Sequence, residues 1–269
     1  MFQQEGNRRR IAAVTGANGA IGMAIARQLA ALPGYGVVLV CRNKDKAIRC
    51  VQNIIRTTGN PRVRYELADL SRRASIEALE QRWEGRLDVL VNNAAITPRR
   101  LAHTPEGIEM QFATNVLGYF WMIEVFTEHL KQGSAARIIN VASYWAGGLE
   151  LGDLEFRKRR YNNDAAYRQS KQADRMLNVA FARRLQPFGI KVNACHPGDV
   201  NSTLSNNLGF GGQESPDAGA RTPVWLATSD SGGKCTGKYF EHQRQVSCPF
   251  GRDPAAVESL YAACRSYMN

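Results

Sequence analysis

Two residues in the second half of the 269-residue chain are spaced for acid–base chemistry: Tyr167 and Lys171, in Tyr167-Arg168-Gln169-Ser170-Lys171. On a helix, four-residue spacing puts both on one face. An ammonium near a phenol favours the phenolate, so such a pair brings a tyrosine toward the working range of a proton donor and acceptor. The pair alone carries little weight, because nine tyrosines produce one such match by chance about half the time. Ser143 follows the apolar run Arg137-Ile138-Ile139-Asn140-Val141 and could hold a substrate oxygen beside Tyr167. Asn115, a polar residue on a mostly apolar segment, is either another polar group of the site or a satisfied core amide.

A second constellation lies near the start, where Thr15-Gly16-Ala17-Asn18-Gly19-Ala20-Ile21-Gly22 separates an apolar run (10–15) from a helical pattern (21–32). Glycines let the backbone turn tightly and approach a pyrophosphate, and the following helix supplies amide donors and a partial positive charge. A plain strand–helix turn also favours glycine, but the strand before and the helix after are the context that dinucleotide binding requires. After the next apolar run, 37–41, a carboxylate would grip the ribose 2′-hydroxyl of NAD. Cys41-Arg42-Asn43-Lys44 stands there instead, with no acid before Asp45. Arg42, helped by Lys44, suits a 2′-phosphate, so NADP(H) is the expected cofactor; an ordinary surface arginine is the alternative.

These residues need elements to position them. Runs at 10–15, 37–41, 62–67, 87–91, 137–141 and 190–194 predict strands. Between them, helical spacing covers a polar stretch ending near Thr57, then 71–83 with Ser71 as N-cap, 104–131 and 164–186. Such alternation predicts an α/β fold, a doubly wound (Rossmann) parallel sheet in a single domain over 10–269, with ligands at the carboxyl ends of the strands. Residues 1–9 read as a flexible polar tail. The Gly/Ser/Asn-rich segment 203–219 reads as a substrate flap or a plain surface loop. In 104–131, Ile108, Phe112, Val116, Phe120, Ile123 and Phe126 form a stripe that Leu117, Trp121 and Val125 widen. A stripe this wide could bury against the sheet and also against a second copy, as a homodimer, or entirely within one chain.

Composition limits the alternatives. With 44% hydrophobic and 22% charged residues, the chain has enough apolar surface to fold, yet no apolar run of membrane-spanning length. Residues 1–10 lack the apolar core of a secretory signal. Six cysteines without Cys-x-x-Cys spacing and four scattered histidines give no metal site; reduced thiols and a cytoplasmic protein are the expectation. The net charge of +11 is spread over short clusters with no nucleic-acid-binding motif, so no nucleic-acid partner is expected. Between Ser143 and Tyr167, the residues Tyr144, Trp145, Leu149, Leu151 and Phe156 suggest a small-molecule substrate with an apolar body. The run Arg157-Lys158-Arg159-Arg160 could meet an anionic tail or an acidic membrane surface, or simply be solvated.

Taken together and in order, these residues resemble the short-chain dehydrogenase/reductase family from about Arg10 to Phe240. The resemblance implies cofactor contacts at Gly16, Asn18, Gly19, Ala20, Ile21 and Gly22 of the turn and at Asp69 and Leu70 near the adenine. It implies further contacts at Asn93 and Ala94 of Asn92-Asn93-Ala94-Ala95, at Pro197 and Gly198 near the nicotinamide, and at Val200 and Thr203 toward its carboxamide. The family's catalytic tetrad falls on Asn115, Ser143, Tyr167 and Lys171. Tyr167 would exchange a proton with the substrate oxygen, which Ser143 would also bind. Lys171 would lower the Tyr167 pKa and bind the nicotinamide ribose, and Asn115 would support a water relay. Ala17-Asn18, Cys41-Arg42, Ser170, Cys195-His196-Pro197-Gly198 and Gly237-Lys238-Tyr239-Phe240 look most like the retinol dehydrogenase-like branch, whose members often prefer NADP(H). Many of them carry an N-terminal membrane anchor for which residues 1–10 offer no segment, so retinoid or lipid substrates are not implied. Two residues depart from the family pattern: Ala20 and Ala95 stand where glycines are usual. A methyl at Ala20 would crowd the pyrophosphate, which keeps open a catalytically weak, NADP(H)-responsive binding protein as the alternative to an enzyme.

Overall fold

A computed structural model of the chain describes residues 9–268. The apolar runs become strands covered on both faces, as continuous hydrophobic segments require. In chain order the first half comprises β1 (Arg10–Thr15), α1 (Ala20–Ala30), β2 (Tyr35–Cys41), α2 (Lys44–Thr58), β3 (Val63–Leu67), α3 (Arg73–Glu80) and β4 (Val89–Asn92). A broken helix follows, made of α4 (Met110–Phe112), a π-turn (Ala113–Leu117) and α5 (Gly118–Lys131). Then come β5 (Arg137–Val141), α6 (Asn163–Leu185), β6 (Lys191–Cys195), α7 (Thr203–Leu208), α8 (Pro216–Thr228), α9 (Asp230–Lys234), β7 (Tyr239–Glu241), β8 (Arg244–Val246) and α10 (Pro254–Ser266).

The strands lie in the order β3-β2-β1-β4-β5-β6-β7-β8, parallel except for β8, which runs antiparallel to β7. One face is packed by α3, α5, α6 and α10, the other by α1, α2 and α8. From β1 the chain winds outward through β2 to β3, and from β4 in the opposite direction, so the reversal opens a crevice at the carboxyl ends of β1 and β4. Inside the sheet a chain of buried amides runs from Asn92 to Asn140 (3.0 Å), Asn178 (3.4 Å) and the Lys238 carbonyl (3.4 Å), tying β4 and β5 to α6. That chain fixes β5, which ends two residues before Ser143, against the helix carrying Tyr167.

Several expected boundaries shift for local reasons. The helix expected over 104–131 begins only at Met110: Gly107 adopts φ +81°, and the Glu109 carboxylate accepts the amides of Gln111 and Phe112 as the cap. Ser71 is not an N-cap. Its hydroxyl and amide both bond the Asp69 carboxylate, and the helix starts two residues later at Arg73. Segment 203–219 is less irregular than expected, since Ser202 and Ser205 form a capping box that starts α7, and Gly219 lies inside α8. Most of the wide apolar stripe is buried within the one chain, with Ile108 and Val125 partly exposed. Leu117 and Trp121 are buried in the core that α3 shares with α5, while Phe112 and Phe120 meet Tyr267 and Tyr261 at the C-terminal end. The expected tail, 1–9, lies outside the described residues except for Arg9. Among the described residues, no helix is long and apolar enough to cross a membrane.

Candidate active site

The glycine turn is built by close approach. Gly16 has φ +63°, and a Cβ there would stand 2.8 Å from the Ala94 Cα. A Cβ on Gly22 would stand 2.4 Å from the Gly16 carbonyl oxygen and 2.6 Å from Asn93 Nδ2. Thr15, to which local pattern assigns no role, locks the two crevice strands together. Its hydroxyl accepts the amides of Asn93 (2.9 Å) and Ala94 (3.1 Å), while Asn93 Nδ2 donates to the Thr15 carbonyl at 2.9 Å. Ala20 is the first residue of α1, with Gly19 as cap, and it lines the cleft. The backbone at Ala95 stays out of the left-handed region and needs no glycine.

A cleft of about 540 Å³ opens along this turn. Gly16, Asn18, Gly19, Ala20, Ile21, Gly22, Arg42, Asp69, Leu70, Asn93, Ala94 and Thr203 all line it, as the resemblance implies. Arg42 is exposed at its rim, and among the described residues no acid pairs with it. The second cation of the rim is Lys46, not Lys44, because the Asn43 side chain caps α2 through the Lys46 amide and sets Lys46 on the cleft side. Asn43, Ala68, Ile96 and Thr114 also line the cleft and were missed, since nothing in their local sequence marks them. The floor at Cys41 is a buried thiol that desolvation pushes up to about 12, so it is an inert wall.

Beside the cleft lies a smaller cavity, about 40 Å³, lined by Ser143, Tyr144, Trp145, Tyr167, His196, Pro197, Gly198, Val200 and Phe210 among others. Ile21, Ser202 and Leu204 border both, so the two spaces adjoin. Ser143 and Tyr167 thus meet at one point, although 24 positions separate them in sequence. The other two members of the expected tetrad stand behind it. Asn115 sits in the π-turn, where its Oδ1 accepts the Ile96 amide (2.9 Å) and its Nδ2 donates to the Ile96 carbonyl (3.1 Å) and Ser170 Oγ (3.2 Å). It is fully buried and shapes the cleft wall through Ile96. Lys171 donates to the Val141 carbonyl (3.0 Å) and to Asp174 Oδ2 (2.9 Å).

Burial pushes the Tyr167 phenol up to about 12, the Ser143 hydroxyl pulls it partway back, and Asp174 and Asp199 push it further up. His196, 8% exposed, is driven down to about 4 by burial, with His242 and Arg175 adding to the effect, and its Nδ1 has no hydrogen-bond partner. The basic run also reads differently in place. Arg157 is bound to Glu155 and to the Gly107 carbonyl, and Arg159 to Asp153, Glu150 and Gln169. Half of that run holds its own loop together.

Comparison with known proteins agrees with this geometry. The sequence profile of the family described as short chain dehydrogenase matches residues 10–210. Retinol dehydrogenase 13 of Mus musculus is 36% identical over 271 residues, spanning 92% of this chain and 80% of the relative. A probable oxidoreductase of Streptomyces antibioticus is 35% identical, spanning 91% of this chain and 88% of its own. Among solved structures, an uncharacterized protein from Mycobacterium paratuberculosis superposes with a TM-score of 0.81 at 27% identity, over 96% of this chain and 93% of that one. A dehydrogenase/reductase from Sinorhizobium meliloti 1021 gives 0.69 at 28% identity, over 87% and 93%. The chain therefore belongs to the short-chain dehydrogenase family, oxidoreductases of the CH–OH/C=O class, and is similar to retinol dehydrogenases.

Proposed function

We propose that the protein is an NADP(H)-dependent oxidoreductase that interconverts a carbonyl and an alcohol on a small substrate with an apolar body. The observation that carries this reading is the convergence of Ser143 and Tyr167 on one cavity adjoining a long glycine-floored cleft. The cleft fits a dinucleotide: a positive φ at Gly16, the N-terminus of α1 and the absence of a Cβ at Gly22 leave room and donors for a pyrophosphate. Arg42 and Lys46 favour a 2′-phosphate over a bare ribose hydroxyl. Bound there, a reduced nicotinamide supplies the hydride.

The chain's own residues do the rest. In reduction, the Tyr167 hydroxyl donates its proton to the oxygen that becomes alkoxide, and the Ser143 hydroxyl bonds the same oxygen. Asn115 keeps Ile96, and with it the cleft wall, in place. Tyr144, Trp145 and Phe210 offer an aromatic mouth to the substrate body, which is the basis for its apolar character. Six unpaired thiols fit a reducing, cytoplasmic setting.

Binding of reduced nucleotides tests this reading, followed by quenching and shift of the nicotinamide fluorescence. NADPH is expected to bind more tightly than NADH by about tenfold or more, with the difference lost in Arg42→Ala. Equal affinity for both nucleotides would remove the 2′-phosphate assignment, and no binding of either would remove the enzyme.

A further inference from the structure

The cavity where Ser143 and Tyr167 meet carries a charge opposite to that of the chain. The chain has a net charge of +11, yet no lysine or arginine is among the described residues lining this cavity, and the single acid there is Asp199. His196, on the same wall, is held neutral at pH 7 by its burial. Asp199 is half-buried and forms no ion pair with any described residue. A carboxylate without a partner beside an apolar space gains when a ligand brings the opposite charge.

Backbone contacts set Asp199 there. Its carbonyl accepts the amides of Gln213 (2.7 Å) and Glu214 (2.9 Å), and its amide donates to Glu214 Oε1 at 3.3 Å. The segment after α7 therefore holds Asp199 and also brings Phe210 to the cavity. The Glu214 carboxylate lies against Gly198, where a Cβ would stand 2.6 Å from either oxygen, so a second negative charge backs the first.

The facing walls are aromatic. Trp145 and Phe210 have their centroids 4.4 Å apart with planes at 59°, and Tyr144 and Trp145 stand 5.9 Å apart at 70°. Rings at such angles form a corner and not a stack, and the face of each ring attracts a cation. Two arginines approach from outside the lining and are spent on backbone carbonyls. Arg168 Nε donates to the Trp145 carbonyl at 3.2 Å, and Arg175 donates to the Ser143 carbonyl at 3.4 Å with its guanidinium over the Tyr239 ring. We propose that Asp199 is a specificity-determining residue, and that the substrate is a carbonyl or alcohol whose apolar body carries an ammonium group, set against the Asp199 carboxylate and the rings of Tyr144, Trp145 and Phe210. This rests on the reading of Ser143 and Tyr167 as the pair that binds the reacting oxygen.

The test compares three aldehydes of similar shape: 4-(trimethylammoniomethyl)benzaldehyde, its neutral isostere 4-neopentylbenzaldehyde, and the anionic 4-(carboxymethyl)benzaldehyde. The quaternary ammonium keeps its charge at any pH and donates no hydrogen bond, so only charge separates it from its isostere. Binding to the full chain is followed by quenching of tryptophan fluorescence, with NADP+ present because it supplies no hydride. The cation is expected to bind about tenfold more tightly than the neutral isostere, and the anion more weakly than either. In Asp199→Asn the cation and the isostere should come within about threefold of each other. Equal affinities in the wild type, a tighter anion, or binding of none of the three would overturn the proposal. So would a preference for the cation that survives undiminished in Asp199→Asn. Should that variant fail to fold, the order of the three affinities in the wild type decides. Turnover, read separately as loss of NADPH absorbance, reports on the underlying reading. Reduction of all three aldehydes with like affinities would keep the enzyme and remove the cation site, whereas a cation preference in binding without reduction of any aldehyde would do the reverse.

Discussion

Phe210 packs against Trp145, ring centroids 4.4 Å apart and planes tilted by 59°, and so joins the loop after β5 to the segment after α7 across the mouth of the smaller cavity. Tyr144 completes this aromatic rim, edge-on to His196 with centroids 4.6 Å apart. Phe210 is 37% exposed, so its removal should cost the fold little. With an apolar ketone or aldehyde as substrate, Phe210→Ala should raise KM about tenfold and change kcat far less, because the substrate body would then rest against water in place of a ring. Steady-state kinetics on both proteins would show it; a kcat effect with unchanged KM would place Phe210 in a different role.

Tyr167→Phe removes the only hydroxyl hydrogen that Tyr167 can offer and leaves the ring that fills its buried site. Turnover should fall about a hundredfold or more, with nucleotide affinity nearly intact. Comparison of kcat with fluorescence-determined nucleotide affinity checks this. Retained turnover in a folded variant would sink the assignment.

Gly22→Ala puts a methyl 2.4 Å from the Gly16 carbonyl oxygen, a backbone atom that cannot swing aside. The turn must open, at a cost of about 1–3 kcal/mol in stability. Nucleotide affinity should drop with it, because the displaced carbonyl belongs to the wall of the cleft. Thermal melts with and without NADPH would separate the two losses. An unchanged ligand-induced rise in Tm would show that the turn is not the phosphate cradle.

His196 makes stability depend on pH in a definite direction. Burial lowers its pKa from 6.5 to about 4, so between those values the unfolded chain binds the proton and the folded chain does not. Its contribution is fully present above pH 6.5 and is lost as the pH falls toward 4. His196→Asn, which cannot titrate, should therefore lose less Tm than wild type between about pH 7 and about pH 5, since other titrating groups cancel in the difference. Parallel Tm curves for the two proteins would show that His196 is accessible to protons in the fold.

Much of the molecule was legible in local pattern. Continuous apolar runs predict the central strands because a parallel sheet covered on both faces tolerates no polar alternation; 10–15 and 137–141 are recovered to the residue. Glycines between a strand and a helix locate the crevice, since few other residues permit that turn. The C-terminal strands β7 and β8 escaped notice because three-residue strands are too short for any periodicity to register. Partners across space were beyond local pattern altogether. That Lys171 would bond Asp174 and the Val141 carbonyl, that Asn115 would hold Ile96, that Lys46 would turn to the cleft in place of Lys44, and that α10 would cover part of the wide stripe of α5 all depend on how elements approach one another. A side chain's type and spacing determine which bonds it can make. Only packing decides which groups come within the ~3 Å at which a donor finds an acceptor, or a charge its opposite.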